Sequence, residues 1–346
     1  MKTHLSSNYI PQFSIESYLA YMSSNFPEFF KTFWFDRPGV FKIIDKMNRT
    51  TTDFEGSQKG GRGDSYRKAQ VNSSVRVVGM KQLLQCAFNN HDFQNPPASY
   101  KILDVLGGDG ILARAFSSFQ SQKNLRLPIL TSDIAGDMIS QAFNYGLPLI
   151  RQPAHYLFLK NNSYDAVIIA YGTHHIPEEE RVNACKEAFR ILKPGGRIVI
   201  HDFEENSCMS RWFNDVVDKY SITGHAYHHF TIDKLRYYLK KGGFKNIKIT
   251  HMYDPFIIRD ARKHKAYSKL MDYVLDMYGL EKLKKGGNIR NTRAKVCNLI
   301  KKYMLYNLED IKEAKPYWKR SLSLFQENGE FVAEMPRIAL VGIGTK

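Results

Sequence analysis

The sequence predicts an α/β fold built on a mostly parallel sheet, and three observations predict it. From Lys101 onward, short apolar runs alternate with stretches of helical period, the order that repeated strand–helix units require. "LKPGGRIVI" has the proline and paired glycines expected where a helix stops and a tight turn feeds a buried strand. "FTIDKLRYYLKKGGF" repeats that design, with a threonine at the helix start and Gly-Gly at its end. At 346 residues and 43% hydrophobic composition, the chain can bury a large core.

In chain order, residues 1–95 lack the strand–helix alternation. "IESYLAYMSSNFPEFFKTFWF" is aromatic-rich with a helical period, and "SYRKAQVNSSVRVVGMKQLLQCAF" reads as one helix before the first core strand. Between them, "EGSQKGGRGDS" is loop-like and lacks the GKS or GKT ending of a phosphate-binding loop. We assign 1–95 as a helical N-terminal cap or lid. Residues 96–255 carry the strand candidates "KILDVL", "PILTSD", "PLIRQ", "YDAVIIAY", "GGRIVIHDF" and "FKNIKITHMY", and form the core. Residues 256–329 are helical in period, as in "AYSKLMDYVLDMYGLEKL", and read as a basic helical insertion. The last segment, 330–346, contains "MPRIALVGIGTK", a final core strand expected to pair antiparallel with "FKNIKITHMY".

The formal net charge is +16, and 17 Lys/Arg against 7 Asp/Glu between Arg259 and Arg320 put +10 of it in the insertion. That concentration fits a solvated helical surface better than a polyanion-binding face. No apolar run approaches the ~20 residues that span a bilayer, and the N-terminus has no signal-peptide pattern. The four cysteines form no CxxC pair, so free thiols in a reducing cytoplasm are expected.

"KILDVLGGDGILARAF" ends a strand in an acid, turns on glycines and enters a helix. Such a turn lets backbone approach a ligand while the helix start offers free N–H groups. Asp104 ends the strand, Gly107, Gly108 and Gly110 make the turn, and Asp133 follows the second strand, placed to accept from both hydroxyls of a ribose. A ribose-containing cofactor is the expectation.

"ILDVLGGDG", "TSDIAGDMISQA", "YDAVIIAYGTHHIPEEE" and "EAFRILKPGGRIVIHDF" together resemble class I S-adenosylmethionine (SAM)-dependent methyltransferases, in particular the broad group with a His-His-Ile/Val segment after the fourth strand. The resemblance covers roughly 100–253, with "RIALVGIG" as last strand. It implies a Rossmann-like, seven-stranded sheet with an antiparallel last strand, SAM as cofactor and S-adenosylhomocysteine as product. By position it implies Asp104, Gly107, Gly108 and Gly110 on the methionine side, Asp133 on the ribose and Ile134 beside the adenine. Gln152 and Ala154 would follow the third strand, with Tyr171 and Gly172 bordering the methionine and the transferred methyl. Two positions depart from the family pattern. Leu106 stands where the first loop glycine is usual, so the tight bend is expected on Gly107 and Gly108. Pro153 stands where many relatives have an adenine-binding Asp, which leaves Gln152 or a backbone carbonyl for that contact.

Methyl transfer is an in-line displacement that needs alignment, exclusion of water and, for some acceptors, removal of a proton. Histidine, with an ordinary pKa near ~6.5, suits the last task. His174 and His201 follow the fourth and fifth strands and are the candidate bases, with Tyr171 beside them; His175 is a packing residue of the motif or a substrate contact. Tyr227 and His228 in "TGHAYHHFT" are candidate substrate contacts, as is Arg259 for an anionic group. The fourth strand's end supplies no carboxylates, so no catalytic metal is expected. The leading reading is a cytoplasmic methyltransferase acting on a small molecule, aromatic in character with or without an anionic group: an aromatic amino acid or phenolic intermediate of secondary metabolism, methylated on carbon or oxygen. The N-terminal helices serve as lid or as homodimer interface. An RNA methyltransferase using the basic insertion, or the fold without methyl transfer, are the alternatives; base-amine and cytosine-C5 motifs are absent, which disfavours nucleic acid.

Overall fold

The computed structural model describes residues 9–50, 52, 54, 62–88, 95–120, 127–285 and 287–346. Among the described residues ten strands form two sheets: β1 Ile102–Val105, β2 Ile129–Asp133, β3 Leu149–Arg151, β4 Tyr164–Ile169, β5 Leu192–Asp202, β6 Lys245–Tyr253, β7 Phe256–Asp260, β8 Ser323–Glu327, β9 Glu330–Met335 and β10 Ile338–Thr345. The main sheet has seven strands in the order β3-β2-β1-β4-β5-β10-β6. Pairing is parallel from β3 to β5, while β10 runs antiparallel to both β5 and β6. β1 and β4 are almost wholly buried, which is why they read as continuous apolar runs. Strand order reverses between β1 and β4, and ligands in such sheets bind in the crevice beyond the carboxyl ends at that point.

Residues 9–50 close the β3 edge. Tyr18 and Tyr21 donate their hydroxyls to the carbonyls of Leu149 and Leu147, both at 3.0 Å. Arg151 of β3 donates to the Tyr9 carbonyl at 3.1 Å and to Asn48 Oδ1 at 2.9 Å. An edge strand's unpaired backbone is thereby covered by aromatic side chains carrying polar tips.

Residues 62–88 do something different. The single helix expected there is two, Arg62–Gln70 and Val77–Ala87, joined through a 3-10 turn at Ser73–Arg76. Asn72 breaks the run by accepting from the Ser74 N–H, a local bond that competes with helix propagation. This segment reaches the crevice, bringing Tyr66 against the glycine loop. Of the expected loop over 55–65, residues 55–61 lie outside the described residues and 62–65 form the first turn of the helix.

The insertion has helices Lys263–Met277, Glu281–Lys284 and Ile289–Tyr303, but it also has strands. β7, β9 and β8 form a separate antiparallel sheet, so neither the purely helical reading of 256–329 nor a single strand over 330–346 holds. β8 and β9 are a hairpin turned on Asn328 and Gly329, at φ 51° and 82°, the favoured two-residue arrangement. Pro336 then ends β9 before β10 begins.

Candidate functional site

The loop after β1 is built around a buried acid. Asp104 is 4% exposed, and a Cβ on residue 107 would stand 2.7 Å from its Oδ2, so only glycine fits there. Burial pushes the Asp104 carboxyl up to about 8; nearby Asp133 adds to the rise and Arg76 opposes it. Asp133 accepts from the N–H groups of Gly108 and Ala135, both at 2.9 Å, which fixes it at the rim between β1 and β2. Of the bend expected on Gly107 and Gly108, Gly108 takes its part and Gly107 does not. Leu106 itself is left-handed at φ 62°, followed by Gly108 at 58° and Gly110 at 82°. The loop keeps its left-handed first position, and a leucine accepts strain of ~1–3 kcal/mol to hold it.

Gln152 is committed inward. Its amide nitrogen donates to Ser132 Oγ at 3.0 Å and its oxygen accepts from the Phe158 N–H at 2.6 Å. The side chain therefore braces the β2 and β3 ends rather than facing outward, and an adenine contact from it would need both bonds to break. Ala154 is buried beside it and Ile134 is half-buried on the neighbouring loop.

Beyond β4, Tyr171 also has a positive φ of 62°, and Gly172 is buried. Tyr66, Asp104, Leu106, Gly107, Ala170 and Tyr171 surround the cavity between the loop and this strand end. The Tyr171 ring lies 3.8 Å from the Arg76 guanidinium carbon and 4.5 Å from the His201 ring, and its hydroxyl donates to Asp254 Oδ1 at 3.3 Å. Arg337 pairs with the Asp254 carboxylate and donates to the Asp254 carbonyl at 2.8 Å. His201 is fully buried, and neither of its ring nitrogens has a hydrogen-bond partner among the described residues. Its Nε2 is 3.8 Å from Asp254 Oδ2, too far for a bond. Burial holds the imidazole down to about 4, hence neutral at pH 7, although Asp254 and Asp202 pull the other way.

His174 is placed differently. Asp202, at the end of β5, accepts from the His174 backbone N–H at 2.7 Å and lies 2.9 Å from its Nδ1. His174 Nε2 faces His225 Nε2 at 3.1 Å, so both of its ring nitrogens are engaged. His229 Nδ1 lies 3.3 Å from Asp202, and the half-buried His175 packs 4.4 Å from the Tyr227 ring.

Two expected substrate contacts lie elsewhere. The His228 side chain is exposed, because alternation along this extended loop turns His229 inward instead. Arg259 is exposed on β7, paired with Glu327 of β8 at 2.6 Å, on the small sheet. The crevice instead gains Tyr66, Arg76, Asp254 and His225, none of them expected from the sequence, and His229, which the sequence places at this edge of the sheet without a role. Only the histidines carried a signal there, in the "HAYHH" spacing; Arg76 and Asp254 sit in segments with no motif.

A methyltransferase-domain family profile matches residues 103–200. The ubiquinone/menaquinone biosynthesis C-methyltransferase UbiE of Bartonella tribocorum is 31% identical over 194 residues, 47% of this chain and 72% of that protein. The chain belongs to the class I SAM-dependent methyltransferases. UbiE of Allorhizobium ampelinum is 25% identical, matching 57% of this chain and 86% of that protein. Among solved structures, a Haemonchus contortus phosphoethanolamine N-methyltransferase 2, in complex with phosphomonomethylethanolamine and S-adenosylhomocysteine, shares the fold. Its TM-score is 0.50 at 16% identity, over 85% of this chain and 60% of that one. SAM is accordingly the cofactor of this methyltransferase. Gly107 packs on the Asp104 carboxylate with no room for a Cβ, and both residues line the cavity beyond β1 and β4. Its small-molecule type agrees with the UbiE relatives. No helix among the described residues is long and apolar enough to cross a membrane.

Proposed function

We propose that this methyltransferase transfers the methyl of SAM to carbon or oxygen of an aromatic small molecule, a phenolic intermediate or aromatic amino acid of secondary metabolism. The observation that carries the reading is His201: a buried, neutral imidazole with both nitrogens unengaged, packed on Tyr171 beside the methionine cradle. SAM supplies an electrophilic methyl group when bound there. On this reading Asp104 meets the cofactor's ammonium and Asp133 its ribose hydroxyls. Tyr171, Tyr66 and Leu106 exclude water, and His201 takes the proton that the acceptor loses. A neutral imidazole can accept that proton, whereas one already protonated could not. His174 is less suited, because Asp202 and His225 occupy its two nitrogens.

An anionic group on the acceptor would meet Arg76 rather than Arg259. Arg76 is 2% exposed, its Nη1 donates to Gln70 Oε1 at 3.2 Å, and its Nε has no partner among the described residues. The UbiE relatives, named as C-methyltransferases of quinone biosynthesis, support an aromatic acceptor. On this reading 62–88 acts as a lid through Tyr66 and Arg76, and the insertion reaches the same centre through the Tyr278 hydroxyl, which accepts from Arg337 at 3.4 Å.

The test uses radiolabelled SAM and a panel of phenols, quinols and aromatic amino acids. Label should pass to a phenolic or quinol acceptor, and His201→Asn should cut kcat about 10²–10⁴-fold while SAM affinity stays within a few-fold. Full turnover by the variant would remove His201 from the role.

A further inference from the structure

Three imidazoles converge where β4 and the loop before helix Ile232–Gly242 meet. His174, His175 and His225 each bring one ring nitrogen into a group whose atoms all lie within 4.8 Å of one another. His174 and His225 are both 4% exposed, and their Nε2 atoms face each other at 3.1 Å. Two tetrahedral ligands on ~2.0–2.1 Å metal–nitrogen bonds would stand ~3.3 Å apart, so this pair needs little movement to share an ion.

The surroundings match what a metal-bound imidazole requires. Asp202 lies 2.9–3.0 Å from His174 Nδ1, which fixes that proton on Nδ1 and turns the Nε2 lone pair toward His225. A direct hydrogen bond would join Nε2 to Nε2 only by making His225 the donor. That leaves the His225 Nδ1 lone pair buried with no donor, and Nδ1 indeed has no partner among the described residues. Protein bonds alone thus leave a buried acceptor unsatisfied, which is unfavourable. Coordination through Nε2 puts the hydrogen on Nδ1 instead and leaves the Nε2 lone pair for the ion, while the Phe213 ring packs on the imidazole face with its centroid 4.4 Å away. Phe213 and Phe54 wall the cluster on its apolar sides.

We propose that His174, His175 and His225 form a binding site for one divalent transition-metal ion of the zinc class, with Asp202 as the residue that orients His174. Neutral nitrogen ligands select zinc, cobalt or nickel over magnesium and calcium, which prefer oxygen. The sequence-based expectation of no metal considered carboxylates and cysteine spacing, not a cluster of histidines. Arg62 brings an opposing positive charge near His175 and His225, and the buried Asp202 carboxylate offsets it. With three protein ligands the ion keeps an open position on the Tyr227 side; the Tyr227 ring is 4.4 Å from His175 and 5.1 Å from His225. A competing set, His174 with Asp202 and His229, would use the His174 nitrogen already turned to Asp202.

The site stands independently of the acceptor assignment, since metal binding is read without SAM or turnover. Chelator-stripped full-length protein should bind one equivalent of Co²⁺ with the visible bands of a tetrahedral nitrogen site, displaced by Zn²⁺. His225→Phe and His175→Phe, which keep the ring packing, should each weaken Zn²⁺ binding by at least ~100-fold, and Asp202→Asn by about 10–100-fold. His229→Phe should stay within about threefold, since it lies outside the set. Thermal melts by circular dichroism identify any variant that fails to fold. For such a variant, the wild-type Co²⁺ spectrum and stoichiometry decide. No uptake of Co²⁺ or Zn²⁺ by the stripped wild type at micromolar concentration overturns the proposal. So does loss of binding in His229→Phe with His225→Phe unaffected.

Discussion

Asp104→Asn should stabilise the free protein and at the same time weaken SAM binding. In the folded chain burial holds the carboxyl near 8, against 3.8 in an ordinary setting. At pH 7 the folded side chain is therefore protonated while the unfolded one is ionised. At 1.36 kcal/mol per pH unit, the ~3 units between 3.8 and 7 set an upper limit of ~4 kcal/mol on the cost. Relaxation and water entry reduce such limits two- to threefold, so ~1–2 kcal/mol is the working figure, worth a few degrees in Tm for a chain of this size. Asparagine keeps the shape and never ionises, so the variant should melt a few degrees higher at pH 7 and level with the wild type near pH 4. The direction follows from the raised pKa: the folded state holds the extra proton, so the wild type loses stability as pH climbs from 3.8 toward 8. The cofactor's ammonium reverses the preference by favouring the carboxylate. SAM affinity in the wild type should rise with pH up to about 8, by at most tenfold per unit. Calorimetry in buffers of different ionisation heats should register proton release on binding at pH 7. Asp104→Asn should bind SAM ~10–100-fold more weakly, without that release. Equal melting at pH 7 together with undiminished SAM affinity would refute both the burial argument and the placement of the cofactor's ammonium.

Leu106→Gly relieves a left-handed leucine at φ 62°, but it also gives the unfolded chain more freedom. These oppose at ~1 kcal/mol each, so denaturant midpoints should change little while SAM affinity rises as the cavity widens. Gly79→Ala would put a Cβ 1.8 Å from Asp254 Oδ1. Displacing that carboxylate from Arg337 leaves a buried charge unpaired, and urea titration should show a loss of ~3–5 kcal/mol. His251 sits between Glu204 at 2.9 Å and Glu313 at 3.2 Å, and these bonds raise its pKa above 6.5. Its stabilising contribution is present in full below 6.5 and fades as pH rises through the folded value. The wild type should therefore lose melting temperature between pH 6.5 and 8, and His251→Gln should flatten that slope.

How much of this was readable without coordinates depended on whether a residue's role was local. The parallel core was legible because β1, β4 and β5 are buried on both faces, and such strands announce themselves as apolar runs. The small sheet was not, because β8 is mostly exposed and its period-2 pattern is faint. Yet "ENGE" held the Asn-Gly signal of its hairpin, so that miss was one of reading rather than of information. Asp104 and Asp133 could be placed from spacing alone, since one strand and one loop position each of them. Arg76, Asp254 and Arg337 could not. They come from three distant segments, and it takes the β6–β10 pairing and the packing of 62–88 to bring them to Tyr171.

The histidines show the same division within one motif. Sequence position made His174 and His201 alike, one beyond the fourth core strand and one near the end of the fifth. The structure separates them by what surrounds their nitrogens: Asp202 and His225 engage both of those on His174, whereas His201 has none engaged. An imidazole with a carboxylate on one nitrogen and a second imidazole on the other is oriented as a ligand. One with neither, beside the cofactor cradle, remains able to accept a proton. The two proposals, a base at His201 and an ion held by His174, His175 and His225, would give separate tasks to one histidine-rich edge. The division predicts separable defects: His225→Phe should lose metal before it loses SAM, and His201→Asn should lose turnover while keeping both.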